Sequence, residues 1–169
     1  SFNSDFVLWG HEGSIMAAAL NADGTVGVPS AIFTFTGVGG EQCYAPTCFR
    51  PGGPMVPERV VFGTGNGNGI MGHISFDPGT NQTGDYTGGA LTLVDLAPSD
   101  PASYGSEDYD DDFPSVSSDG TQLIIPRVHR PSGNTRSILT ANWNGSNFVA
   151  EPGPDNTIED EIRTAIWLP

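Results

Sequence analysis

Short segments in which apolar and polar residues alternate, punctuated by glycine-bearing turns, recur along the whole chain. SIMAAAL from Ser14, IMGHISF from Ile70 and SILTANW from Ser137 each run into an Asn or Asp and then a Gly with Ser or Thr, in LNADGT at 20–25, FDPGT at 76–80 and WNGS at 143–146. A period of two predicts a strand with one buried face, and the Asx and Gly residues predict a tight turn at its end. A further strand candidate follows each turn: VPSAIFTF, GALTLVDL and the short NFVAE.

Two stretches add a pair of strands ahead of this unit. YAPTCFRPGGPMVPERVVFGTG from Tyr44 and DFPSVSSDGTQLIIPRVHRP from Asp112 both read as a strand with an early Pro, a Gly-containing turn and a strand of β-branched residues. Proline suits the first residue of a strand, where no ladder donor is needed. In the second stretch Asp119-Gly120 makes the turn, and Leu123, Ile124 and Ile125 predict a fully buried neighbour. The chain therefore spells strands B-C-D, then A-B-C-D twice, then a closing A. The first B is DFVLW and the last A is EIRTAIWLP. An alternative for DNTIEDEIRTAI is a short amphipathic helix capped by Asp155 or Asn156.

The expected fold is all-β, a partial β-propeller of about three four-stranded blades, or half of a six-bladed ring. The blades span 5–37 together with 161–169, then 44–95, then 112–152, with an acidic insertion at 97–111. All belong to one domain, the number a chain of 169 residues predicts. The sequence of 112–148, DFPSVSSDGTQLIIPRVHRPSGNTRSILTANWNGSNF, resembles the repeat of TolB-type β-propellers, in which Pro-Ser-hydrophobic-Ser-x-Asp-Gly opens a blade. Over 44–95 Arg50-Pro51-Gly52-Gly53 replaces Ser-x-Asp-Gly, and over 5–37 only the second half of the repeat is visible. The resemblance implies a rim and a central funnel presented to protein partners, in the periplasm or outside the cell. A stack of three blades has two end faces that its own blades do not cover. A second copy of the chain or another protein is expected to complete the ring.

Composition narrows the partners. The chain has six Lys plus Arg, all of them Arg, against 20 Asp plus Glu, for a net charge of −14. So few cations cannot displace counterions from a phosphate backbone or hold anionic headgroups, so nucleic acid and membrane surfaces are not expected partners. No apolar run is long enough to span a bilayer. Ser1-Phe2-Asn3 at the start reads as a trimmed end, for which a removed signal peptide and an extracytoplasmic location are expected. In that compartment Cys43 and Cys48, in CYAPTC, are expected to form a local disulfide; the other reading is two unlinked small apolar side chains.

Candidate chemistry is sparse. His11 and His129 fall in corresponding B-C hairpins, with Arg127 and Arg130 beside the second. On one propeller rim these four form a ligand-binding site for a carboxylate, or supply acid-base catalysis on an acidic sugar or peptide; the plainer reading is four loop residues. His73 lies within a strand and reads as structural. Asp108, Asp110 and Asp112 offer oxygen ligands for calcium, the one cofactor considered, against a solvated acidic loop. Gly67 to Gly72 satisfies GxGxxG, but the alternating HISFDPGT that follows is a strand, where a dinucleotide site needs a helix.

The expected function is that of a non-catalytic binding or scaffolding subunit of an extracytoplasmic assembly. The alternatives are an enzyme with the His/Arg site on one rim, similar to propellers that act as polysaccharide lyases, and a filament or surface-layer subunit.

Overall fold

Strands form where the alternation is cleanest. The computed structural model describes residues 6–35, 43–51, 58–64, 70–77, 87–96, 109–111, 113–129, 135–151 and 156–158. Among these the chain is all-β, with three antiparallel sheets and no helix. The first sheet is a meander of β1 (Phe6–His11), β2 (Ser14–Ala19) and β3 (Ser30–Thr34), in that order. The second contains β4 (Cys43–Phe49), β5 (Glu58–Thr64), β6 (Ile70–Asp77) and two short pieces, β7 (Thr87–Gly88) and β8 (Thr92–Leu93). Both pieces pair with β6; β8 lies within GALTLVDL, the last strand read from the sequence, and β7 just before it. The third sheet contains β9 (Tyr109–Asp111), β10 (Ser115–Val116), β11 (Gln122–His129), β12 (Thr135–Trp143), β13 (Phe148–Ala150) and β14 (Asn156–Ile158). Its main path is β10-β11-β12-β13.

The B-C-D and A-B-C-D order of meanders is thus present. Two segments differ from the reading. The end of the acidic insertion, Tyr109–Asp111, pairs with Arg127 to His129 of β11 instead of remaining a loop. Asn156–Ile158 pairs with Arg136 to Ile138 of β12, which excludes the alternative helix from these three residues. In both cases long β11 and β12 extend beyond their meander partners and leave backbone donors and acceptors that a short strand satisfies. The closing strand at 161–169 lies outside the described residues.

The turns follow their sequence. Asp119 Oδ1 accepts from Ser117 Oγ at 2.6 Å, Thr121 N at 3.0 Å and Thr121 Oγ1 at 2.8 Å. Asp23 does the same for the amide and hydroxyl of Thr25, and Asn144 for those of Ser146. These side chains replace the backbone partners that a turn removes. Their hydrogen bonds, those of the Thr25 and Ser117 hydroxyls first, hold the Asp23 and Asp119 carboxyls below the usual carboxylate range. Gly120 has φ +74°, and a Cβ there would lie 2.6 Å from the carbonyl oxygen of Arg50, so only glycine lets this turn sit on the end of β4.

The three sheets stack in chain order through two seams. In the first, Ile15, Ala17, Ala19 and Ile32 meet Cys43, Val60, Phe62, Ile74 and Phe76. In the second, Phe49, Val61 and Met71 from the opposite face of the middle sheet meet Leu123, Ile125, Leu139, Ala141 and Phe148. Odd and even positions of β5 therefore face different neighbours, and each enclosed Val, Ile, Leu or Phe contributes about 1.5–3 kcal/mol. The second seam is also tied at the backbone: Asp95 N donates to Phe148 O (2.9 Å) and Ala150 N to Asp95 O (2.8 Å), a parallel bridge between the last segments of adjacent sheets.

Candidate functional site

Among the described residues His11 and Arg127 are not brought together. His11 is exposed at the end of β1 in the first sheet, while Arg127 is buried in β11 of the third, with the middle sheet between them. Arg127 shares its face of β11 with Leu123 and Ile125, both in the core, and so does not project from a rim. The backbone of His129 ends β11 opposite Thr135, so both histidines do occupy the last strand position before their hairpins. The side chain of His129 and all of Arg130 lie outside the described residues. Asp110 pairs through its backbone with Val128, whereas its side chain, Asp108 and Asp112 lie outside them too. No group of three metal-ligating side chains occurs among the described residues.

The expected disulfide is not formed: Cys43 and Cys48 are thiols near the two ends of β4. An extended strand advances ~3.3 Å per residue, and a disulfide needs its Cα atoms within about 7 Å. Burial, and then the neighbouring Glu58 carboxylate, push the Cys48 thiol well up, with Arg50 opposing them in part. It is therefore protonated at neutral pH and a poor nucleophile. Glu58 itself is buried and held by Arg50 through an ion pair of 3.0 Å.

A polar cluster also surrounds His73. Alternation along β6 aims His73 into the second seam beside Met71, and the imidazole is fully buried there. Arg59 Nε, from the adjacent β5, donates to His73 Nδ1 at 3.2 Å. Because Nδ1 accepts, the proton is on Nε2, which donates to Asn147 Oδ1 at 3.0 Å. Asn147 Nδ2 in turn donates to Leu93 O at 2.9 Å. A single directed chain of hydrogen bonds thus runs from the middle sheet, through the turn between β12 and β13, back to β8.

Aromatic rings close the cluster. The centroid of Trp143 is 5.4 Å from His73, and those of Phe49 and Phe148 are each 6.2 Å away, all edge-on. The Arg59 guanidinium lies over Trp143, 5.1 Å from its centroid, a cation–π contact that holds its Nε toward His73. Burial first, and the Arg59 charge with it, lower His73 to about 4, against the bond to Asn147, which acts the other way. Sequence reasoning placed His73 correctly within a strand. It missed the cluster, because Asn147 is 74 positions away and nothing local pairs the two.

Comparison of the chain with protein-family models, with curated proteins and with solved structures gives no match.

Proposed function

We propose that this protein is a non-catalytic binding or scaffolding subunit of an extracytoplasmic assembly, built as a partial propeller whose end faces dock a second copy or another chain. The stacking carries the reading. The middle sheet is enclosed on both faces, whereas each outer sheet turns an apolar strip away from the stack. On the first sheet that strip contains Val7, Trp9 and Met16, which alternate with the seam residues and are half-buried. On the third it contains Ile124, Ile138 and Val149, also half-buried, with Gln122 and Asn142 beside them. A sheet face of this kind is stabilised by cover from another sheet.

The parallel bridge between Asp95 and Val149 supports radial repetition, since units related by rotation carry equivalent strands in the same direction. The first strands of successive sheets also meet on the opposite edge, where Tyr44 packs edge-on against Phe113 at 6.2 Å and Thr47 Oγ1 donates to Pro114 O at 3.4 Å. Completion of the first blade by 161–169 belongs to the same proposal, as does the TolB-type character of the repeat, from which the location outside the cytoplasm follows. With a net charge of −14, the partner surface is apolar with a neutral or basic rim.

Trp9→Glu and Ile138→Glu, one on each outer face, test this. Each is expected to leave the circular dichroism of the fold in place and to reduce the mass of the native assembly. An unchanged assembly in both variants would refute the docking faces.

A further inference from the structure

We propose that the hydrogen-bonded chain Arg59–His73–Asn147–Leu93 is an acid-released latch, which holds the second seam closed while His73 is neutral and opens it when Nδ1 takes a proton. This goes beyond the proposed function and does not depend on it. The geometry gives the reason. His73 has two ring nitrogens, and both are engaged: Nε2–H points at Asn147, and Nδ1 accepts from Arg59. A proton therefore has one place to go, the nitrogen that faces a guanidinium N–H at 3.2 Å. After protonation two donors and two positive charges oppose each other there.

Among the described residues nothing around the ring compensates the new charge. The elements packed on it bring Phe49 from β4, Arg59 from β5, Trp143 from β12, Phe148 from β13 and Asn147 from the turn between the last two. Of these only Arg59 is charged, with the same sign as a protonated imidazole. No carboxylate reaches His73 among the described residues. The ring is fully buried, so an imidazolium cannot find water unless the seam parts. Parting at His73 withdraws Asn147 from Leu93 O, which lies next to the backbone bridge through Asp95. Among the described residues the first seam contains no buried histidine; its cluster consists of apolar side chains and the Cys43 thiol.

The sign follows from linkage. An accessible imidazole binds its proton near 6.5 and the buried one near about 4. The latch is thus fully closed above 6.5 and is weakened as pH falls from 6.5 through 4. At pH ~4.5 this difference favours the open form on the order of 50-fold over its population at neutral pH.

Amide hydrogen exchange of the intact protein, normalised for intrinsic rates, reads the opening directly. Between pH ~7 and ~4.5 the Asp95 and Ala150 amides are expected to lose on the order of 50-fold in protection. The Gly27 and Phe35 amides, bonded within the first sheet, lose much less. In His73→Gln the amide replaces the neutral ring, accepting from Arg59 and donating to Asn147 without titrating, so the loss disappears. Should that variant not fold, Arg59→Met removes the opposing cation, raises the folded-state proton affinity of His73 and shrinks the loss. Equal loss in the first sheet, or a full loss that persists in either variant, would overturn the proposal.

Discussion

The two seams of this stack are made from the same pattern and differ in what they enclose. In the first, alanines on β2 let the sheets approach, and Phe33 and Phe62 pack at 5.1 Å with Phe6 edge-on to Phe76 at 4.9 Å. The Cys43 and Cys48 thiols belong to this side, and the buried Glu58, paired with Arg50, lies on the same face of β5 as Val60 and Phe62. The second holds comparable apolar residues, but adds a buried histidine, a directed hydrogen-bond chain and a backbone bridge. A backbone bond also ties the first seam, from Cys43 N to Glu12 O at 2.8 Å, so apolar burial does not act alone there. The polar cluster adds something else: a single register between β6 and the turn at 144–147, and sensitivity to protons.

Truncation of a core ring should hurt both seams alike. Phe148→Ala and Phe62→Ala, each removing a fully buried side chain, are expected to cost about 3–5 kcal/mol in chemical denaturation. The comparison sharpens if the pH dependence of stability between 6.5 and 4 survives Phe62→Ala and is blunted by Phe148→Ala, whose ring helps keep His73 dry. Asn147→Leu takes a partner from both His73 Nε2 and Leu93 O, and should cost roughly 1–3 kcal/mol. A cost within error would mean that the chain of bonds is incidental to the seam.

Next in size is Gly120→Ala. Its φ of +74° and the nearby Arg50 carbonyl predict a loss of roughly 1–3 kcal/mol, which thermal melting would register. The corresponding Gly24→Ala has the same sign of φ, +83°, but no neighbour within 4 Å, and should cost less. At the small end, a reductant should leave the melting temperature unchanged, since Cys43 and Cys48 are not bonded to each other. A reductant-induced drop would contradict the observed strand β4.

What could be read from sequence was whatever is local. The turns at Asp23, Asp119 and Asn144 were legible because side chain, glycine and hydroxyl lie within a few residues. The meanders were legible because alternation reports burial of one face. The extra strands β9 and β14 were not, because their polar residues pair by satisfying backbone left over on β11 and β12. Arg127 read as a rim residue because its charge was weighed above its position in register with Leu123 and Ile125; its burial follows from the alternation. Cys43 and Cys48 were judged by spacing, which suits a loop, while β-branched Thr47 and the partner strand β5 hold the segment extended. The His73 cluster depends on two sheets meeting, and no periodicity encodes which turn faces which strand.

The proposed docking of the two outer sheet faces predicts an oligomer or a mixed complex. Sedimentation of the protein isolated from its native source measures this most directly. The expected result is a particle at least twice the mass of one chain, persisting on dilution and dissociated by Trp9→Glu or Ile138→Glu. A single species with the mass of one chain across the concentration range, with no companion chain, would contradict it.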